Sequence, residues 1–147
     1  VGRGHESDDL MLWLEHAQQA LASGTPAVLV MVATVRGSAP RAAGAAMLVD
    51  AQQAHDTIGG GTLEHRAIDL ARTLLAHGDR GERAHRGGQA AHVRVPLGPS
   101  LGQCCGGLVT LLLTRLGATD HDWLAALAAA GRTTDAIDLW LHAPPAV

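Results

Sequence analysis

Ala27-Val28-Leu29-Val30-Met31-Val32-Ala33-Thr34-Val35 is an almost unbroken apolar run, opened by Pro26 and closed by Arg36-Gly37. It is about half the length that a bilayer-spanning helix needs. Short and rich in β-branched residues, it reads as a strand buried on both faces rather than as a buried helix. Such a strand has to be covered on both sides, so the chain is expected to be an α/β (α+β) protein. Its sheet is expected to be mixed, partly antiparallel and flanked by about three helices.

The rest of the sequence supplies those parts. Leu10, Trp13, Leu14, Ala17, Ala20 and Leu21 recur at helical spacing between Ser7-Asp8-Asp9 and Gly24, which predicts a helix from about Asp8 to Ser23. Ala45 to Val49 reads as a second strand antiparallel to the first, Ala51 to Asp56 as a polar turn, and Thr57-Ile58 as a brief strand. Leu63, Ala67, Ile68, Leu70, Ala71, Leu74 and Leu75 mark a second helix, with Thr62 as its N-cap and Gly78 as its stop. Asp79 to Gln89 is charged and glycine-bearing and reads as a mobile connection. His92, Arg94 and Pro96 alternate with Val93, Val95 and Leu97 as in a half-buried strand, and Leu108 to Thr114 reads as a buried one. Thr119 to Asp122 resembles a capping box for a third helix ending at Gly131, and Ile137, Leu139 and Leu141 alternate as a last strand.

At 147 residues with 47% hydrophobic content, this is the size and composition of one globular domain, expected over 1–147 with flexible ends at 1–7 and 143–147. The net charge of −3, the lack of a Lys/Arg cluster and the absence of Phe and Tyr argue against nucleic-acid binding. No membrane span is expected either. Val1 to Asp9 lacks the basic start and apolar centre of a signal peptide, and two cysteines in such a chain fit a reducing cytoplasm.

Three loops carry unusual composition: Gly37 to Gly44, Gly59 to Glu64, and Gly98 to Gly107. All three border apolar strands. If they fall at one end of one sheet, backbone amides, Arg41, Glu64 and the thiols converge on a single concave site. Gly59-Gly60-Gly61 stands just before a helix, where amides and the helix dipole favour an anion such as phosphate. A plain tight turn explains it equally well, and neither GxGxxG nor the P-loop pattern is present. Cys104-Cys105 sits inside Leu97-Gly98-Pro99-Ser100-Leu101-Gly102-Gln103-Cys104-Cys105-Gly106-Gly107. Neighbouring Cα atoms about 3.8 Å apart suit a disulfide poorly, because it prefers about 5.5 Å. The thiols then read as a nucleophile or soft-metal ligand, or else as two small buried side chains. Nine histidines form no H-E-x-x-H and no zinc spacing with a cysteine, and most of them are expected to face solvent.

Gly37-Ser38-Ala39-Pro40-Arg41 with Gly44 and Met47-Leu48-Val49, Ile58-Gly59-Gly60-Gly61-Thr62-Leu63-Glu64, and the double-cysteine stretch occur in this order. Together they resemble the N-terminal domain of the XdhC/CoxI family, the accessory proteins of xanthine dehydrogenase and related molybdenum hydroxylases. Two positions depart from the family's pattern: Asp56 stands where Gly is common, and Thr62 where Cys or His is common. Many members continue into a Rossmann-like domain.

The resemblance implies binding of the molybdenum cofactor (molybdopterin), its protection while sulfur replaces a terminal oxo ligand, and its delivery to an apo molybdenum hydroxylase of xanthine dehydrogenase type. It also implies a cysteine desulfurase or other sulfur donor as a second partner, and it allows a homodimer. Carried onto this chain, the cofactor-binding positions are Ser38, Arg41, Gly59, Gly60, Gly61, Glu64, Gln103, Cys104, Cys105, Gly106 and Gly107. Cys104 is the candidate molybdenum contact, and Cys105 is expected to pack inward. The chemistry is compatible: Gly59 to Gly61 and Arg41 suit a phosphate, and Glu64 suits the N–H edge of a pterin. Glu64 also reads as an ordinary first-turn acid, and Arg41 as a surface ion-pair former. No catalytic residue is assigned. The competing readings are a thiol-dependent sulfurtransferase and a protein-docking domain without cofactor.

Overall fold

Successive side chains of the first strand point to opposite sides, and this alternation divides the interior into two cores. The computed structural model describes residues 12–77, 89–98, 106–117 and 120–130. Helix α1 (Leu12–Ser23) is followed by β1 (Val28–Arg36), β2 (Ala46–Val49) and β3 (Ala54–Asp56). Helix α2 (Gly61–His77), β4 (Gln89–Pro96), β5 (Leu108–Arg115) and α3 (His121–Ala130) complete the order. The strands form one five-stranded sheet, β3-β2-β1-β5-β4, with β1 at its centre as its apolar run demands.

Leu29 and Met31 face one side, where Trp13, Leu14 and Ala17 of α1 and Trp123, Leu124 and Leu127 of α3 cover them. Val28, Val30 and Val32 face the other, beneath Leu63, Ala67 and Ala71 of α2 and beside Val109, Leu111 and Leu113 of β5. All of these side chains are buried. Each large one contributes about 1.5–3 kcal/mol through loss of contact with water. No described helix is long and apolar enough to cross a membrane.

The expected class is observed, with the sheet's directions now defined. Every ladder among the described residues is antiparallel. The parallel element of the expected mixed sheet is reduced to an isolated bridge between Ser38 and Gly106.

Two local expectations need correction. The third strand lies at Ala54–Asp56, inside the stretch read as a turn, and not at Thr57-Ile58. Asp50 explains the shift. Its Oδ1 accepts from the N–H groups of Gln52 (2.8 Å) and Gln53 (2.7 Å), which closes the turn early and lets the chain pair with β2 sooner. Ile58 instead drops into the second core. Helix α2 begins at Gly61, so Thr62 lies inside its first turn and does not cap it. The predicted bounds 8–11, Gly78, 79–88, Thr119 and Gly131, the last strand and both flexible ends fall outside the described residues.

Candidate functional site

The end of β1 and the start of β5 approach so closely that only a residue without a side chain fits between them. A Cβ on Gly107 would lie 2.1 Å from the Ser38 carbonyl oxygen and 2.8 Å from that of Arg36. Across the same seam Gly37 packs on the Gly107 Cα, and the Leu97 N–H donates to the Gly107 carbonyl at 2.6 Å. The second contact joins the other two loops. Gly59, at φ 121°, lies under Pro40 and the stem of Arg41, where a Cβ would meet the Pro40 Cβ at 2.4 Å. The loops at 37–44, 59–64 and 106–107 therefore meet at one end of the sheet. Ser38 and Gly106 are exposed there, and Arg41, Gly60 and Glu64 are partly buried. Gln103, Cys104 and Cys105 lie outside the described residues.

Glu64 organises the middle loop. Its Oε1 accepts from the Thr57 hydroxyl at 2.5 Å, the Ile58 N–H at 3.1 Å and the Gly60 N–H at 3.2 Å. The Gly59 N–H donates to the Thr57 hydroxyl oxygen at 3.0 Å. A carboxylate from the first turn thus reaches back to satisfy the donors that precede the helix, as the acid of a capping box does. Of the amides expected to meet a phosphate, those of Gly59 and Gly60 are already engaged from within the chain. The other carboxylate oxygen, Oε2, has no hydrogen-bond partner among the described residues, nor has the Arg41 guanidinium. What the cluster offers a ligand is therefore one acceptor held in place and, on the loop that packs over Gly59, one cation.

Thr57 was not singled out in the sequence, though a hydroxyl seven residues before a helical Glu was a readable signal. Asp56 takes φ 73°. Asp is among the few side chains that tolerate this conformation, and here its Oδ1 accepts from the Thr57 N–H at 2.9 Å.

Among the described residues His65, His92 and His121 are exposed, as expected of most of the histidines. His16 and His55 are partly buried and stack with ring centres 3.8 Å apart, at the sheet end remote from the glycine loops. His55 Nε2 lies 3.4 Å from Asp50 Oδ2. Burial opposes ionisation of Asp50, but the amides of Gln52 and Gln53 and the His55 ring outweigh it and hold its carboxyl below the usual range. Among the described residues no group of three or more His, Cys, Asp or Glu side chains is placed to hold a metal.

The sequence profile of the XdhC and CoxI family matches residues 20–87. No curated protein matches the sequence. The crystal structure of a xanthine dehydrogenase from Bacillus halodurans is similar, with TM-score 0.61 and 20% identity over 82% of this chain. At that identity the likeness speaks for the fold. The aligned region makes up 35% of that protein, so the chain spans about a third of its length.

Proposed function

We propose, from the match of residues 20–87 to the XdhC and CoxI family, that the chain binds the molybdenum cofactor and serves the maturation of a molybdenum hydroxylase of xanthine dehydrogenase type. The observation that carries this reading is the packing of the 37–44 loop over Gly59 and against Gly107, together with a Glu64 whose Oε1 is fixed by three donors while Oε2 has no partner among the described residues. When bound, the cofactor supplies a pterin edge with N–H donors, a phosphate, and the metal.

Glu64 Oε2 accepts from the pterin edge, and the grip on Oε1 keeps the carboxylate from turning away. Arg41 and the Ser38 hydroxyl, on the loop that packs over Gly59, take the phosphate. Gly59, Gly60 and Gly61 act here mainly as shape: positive φ at all three lets the turn fold under Pro40 and expose the carboxylate. Gly106 and Gly107 themselves lie against Ser38. Cys104 is assigned to the metal end on family resemblance alone. The chain acts as a carrier and does not turn over a substrate.

The test is pterin retention. The chain is purified from cells replete in the cofactor, and released pterin is oxidised and read by fluorescence. In Glu64→Gln the side-chain oxygen takes the place of Oε1, while an NH2 group replaces Oε2 and turns an acceptor into a donor. We expect an unchanged fold, with retention falling at least about tenfold, a loss of about 1.4 kcal/mol or more, the scale of a hydrogen bond to a charged group. Full retention by this variant, or none by the unaltered chain, refutes the reading.

A further inference from the structure

The described elements leave uncovered, at one end, the sheet face that α1 and α3 cover at the other. The register of β1 against β5 shifts between Val32 and Thr34, and beyond this bulge Val35 packs into the core under α2. Thr34 and Arg36 therefore point to the α1/α3 side. Their row partners continue across the sheet: Thr34 stands beside Thr110 and then Arg94, and Arg36 beside Leu108 and then Pro96. His92, beside Leu112, begins the next row. Thr34, Arg36, His92, Arg94 and Pro96 are exposed.

No acidic side chain stands in these rows. Neither Arg36 nor Arg94 has an ion-pair partner among the described residues. Two steps between strands at about 4.8 Å and one row of about 6.7 Å put the Arg36 and Arg94 Cα atoms about 12 Å apart. Both guanidinium groups can therefore engage one extended acidic segment lying across β5. A chain with a net charge of −3 thus presents two arginines and no acidic side chain on this face, which runs through Arg36 into Gly37 and the loop cluster.

We propose that this bare face docks an acidic segment of the protein that receives the cofactor. The proposal rests on the function proposed above and adds to it the surface and the charge of the partner. The exposed rows are far smaller than the roughly 800 Å² per partner of a stable interface. They form the electrostatic part of a brief contact that continues over the glycine loops, as suits a carrier that must let go. Charges at such a rim act chiefly on the association rate and make it sensitive to salt.

The experiment uses the full chain with a cofactor-free molybdenum hydroxylase of xanthine dehydrogenase type, following association by surface plasmon resonance at two salt concentrations. Arg36→Glu/Arg94→Glu is expected to slow association about tenfold at about 50 mM salt, with the difference shrinking below about threefold at about 500 mM. Arg36→Gln/Arg94→Gln is expected to change association in the same direction by about threefold, and it serves if charge reversal impairs folding. Arg66→Glu/Arg72→Glu, an equal charge change on α2, should leave association unchanged. Pterin retention, measured separately, should be unaffected by the Arg36 and Arg94 variants. An unchanged rate, an equal loss in the α2 variant, or no association of the unaltered chain overturns the docking face. Loss of pterin with association intact also overturns it, by moving the two arginines into the ligand site. Retention by the unaltered chain, read in the same preparations, shows independently whether the function on which the proposal rests holds.

Discussion

Gly107→Ala adds one methyl group at the tightest point of the protein. The new Cβ would lie 2.1 Å from the Ser38 carbonyl oxygen, 2.8 Å from that of Arg36 and 3.0 Å from the Ser38 carbonyl carbon. Ordinary contact begins at about 3.5 Å, so the nearest atom has to move by more than about an ångström. All three atoms belong to the backbone, so no side chain can rotate out of the way. The end of β1 has to separate from Gly106-Gly107, which breaks the Ser38–Gly106 bridge and stretches the Leu97 N–H bond to the Gly107 carbonyl. Two weakened hydrogen bonds at about 1 kcal/mol each, plus overpacking of about 1–3 kcal/mol, give a loss of about 3 kcal/mol. For a domain of this size that corresponds to a fall of about 10 °C in Tm. Gly106→Ala is the control: open space surrounds it, and only its φ of 66° opposes a side chain, at a cost of about 1 kcal/mol. Urea unfolding followed by circular dichroism measures both. The reasoning is refuted if Gly107→Ala unfolds within about 0.5 kcal/mol of the unaltered chain, or if Gly106→Ala is the costlier change.

The two described tryptophans should respond unequally to loss of their N–H. Trp13 Nε1 is buried without a partner among the described residues, so Trp13→Phe removes an unsatisfied donor and should cost about 1–2 kcal/mol less than Trp123→Phe, which breaks the 2.9 Å bond to Asp120 Oδ1. Equal losses in urea unfolding would contradict this. Asp50 has its folded pKa lowered, so its contribution to stability is complete above the unfolded value of about 3.9 and is lost as pH falls through the lower folded value. Unfolding midpoints measured from pH 6 down to pH 2 should therefore fall less steeply for Asp50→Asn than for the unaltered chain below about pH 4, and parallel curves would sink the assignment.

What the sequence revealed followed from periodicity, and what it hid depended on single side chains acting over short distances. The run at 27–35 located the central strand because nine consecutive residues say the same thing. The alternation of His92, Arg94 and Pro96 with Val93, Val95 and Leu97 was just as consistent, and the structure buries Val95 and Leu97 and exposes the other set. The strand at 54–56 was missed because its three residues carry no pattern and Asp50, four residues upstream, decides where pairing starts. The helix start was misplaced for a similar reason: Thr62 is a good capping residue by type, but Glu64 does the capping from inside the first turn. Meeting of the loops was stated as a condition on the sheet, and Gly59 under Pro40 and Gly107 against Ser38 fulfil it for the parts described. Their glycines could be counted in the sequence, but which ones need positive φ and which need empty space could not.

The position of β5 carries a consequence for how the chain folds. β1, β2 and β3 are neighbours in sequence and pair through connections of only nine and four residues, so that meander forms at little entropic cost. The far side of β1 waits for residues from the last third of the chain, with Met31 opposite Leu112 and Val32 opposite Leu111. Until β5 arrives, one hydrogen-bonding edge of the most apolar strand stands open, and Leu111 and Leu113 are missing from the core under α2. A non-local closure of this kind is slow and leaves a sticky edge while it is pending. A fragment cut to residues 20–87 would keep the family signature yet lose its keystone strand, and it should aggregate instead of folding.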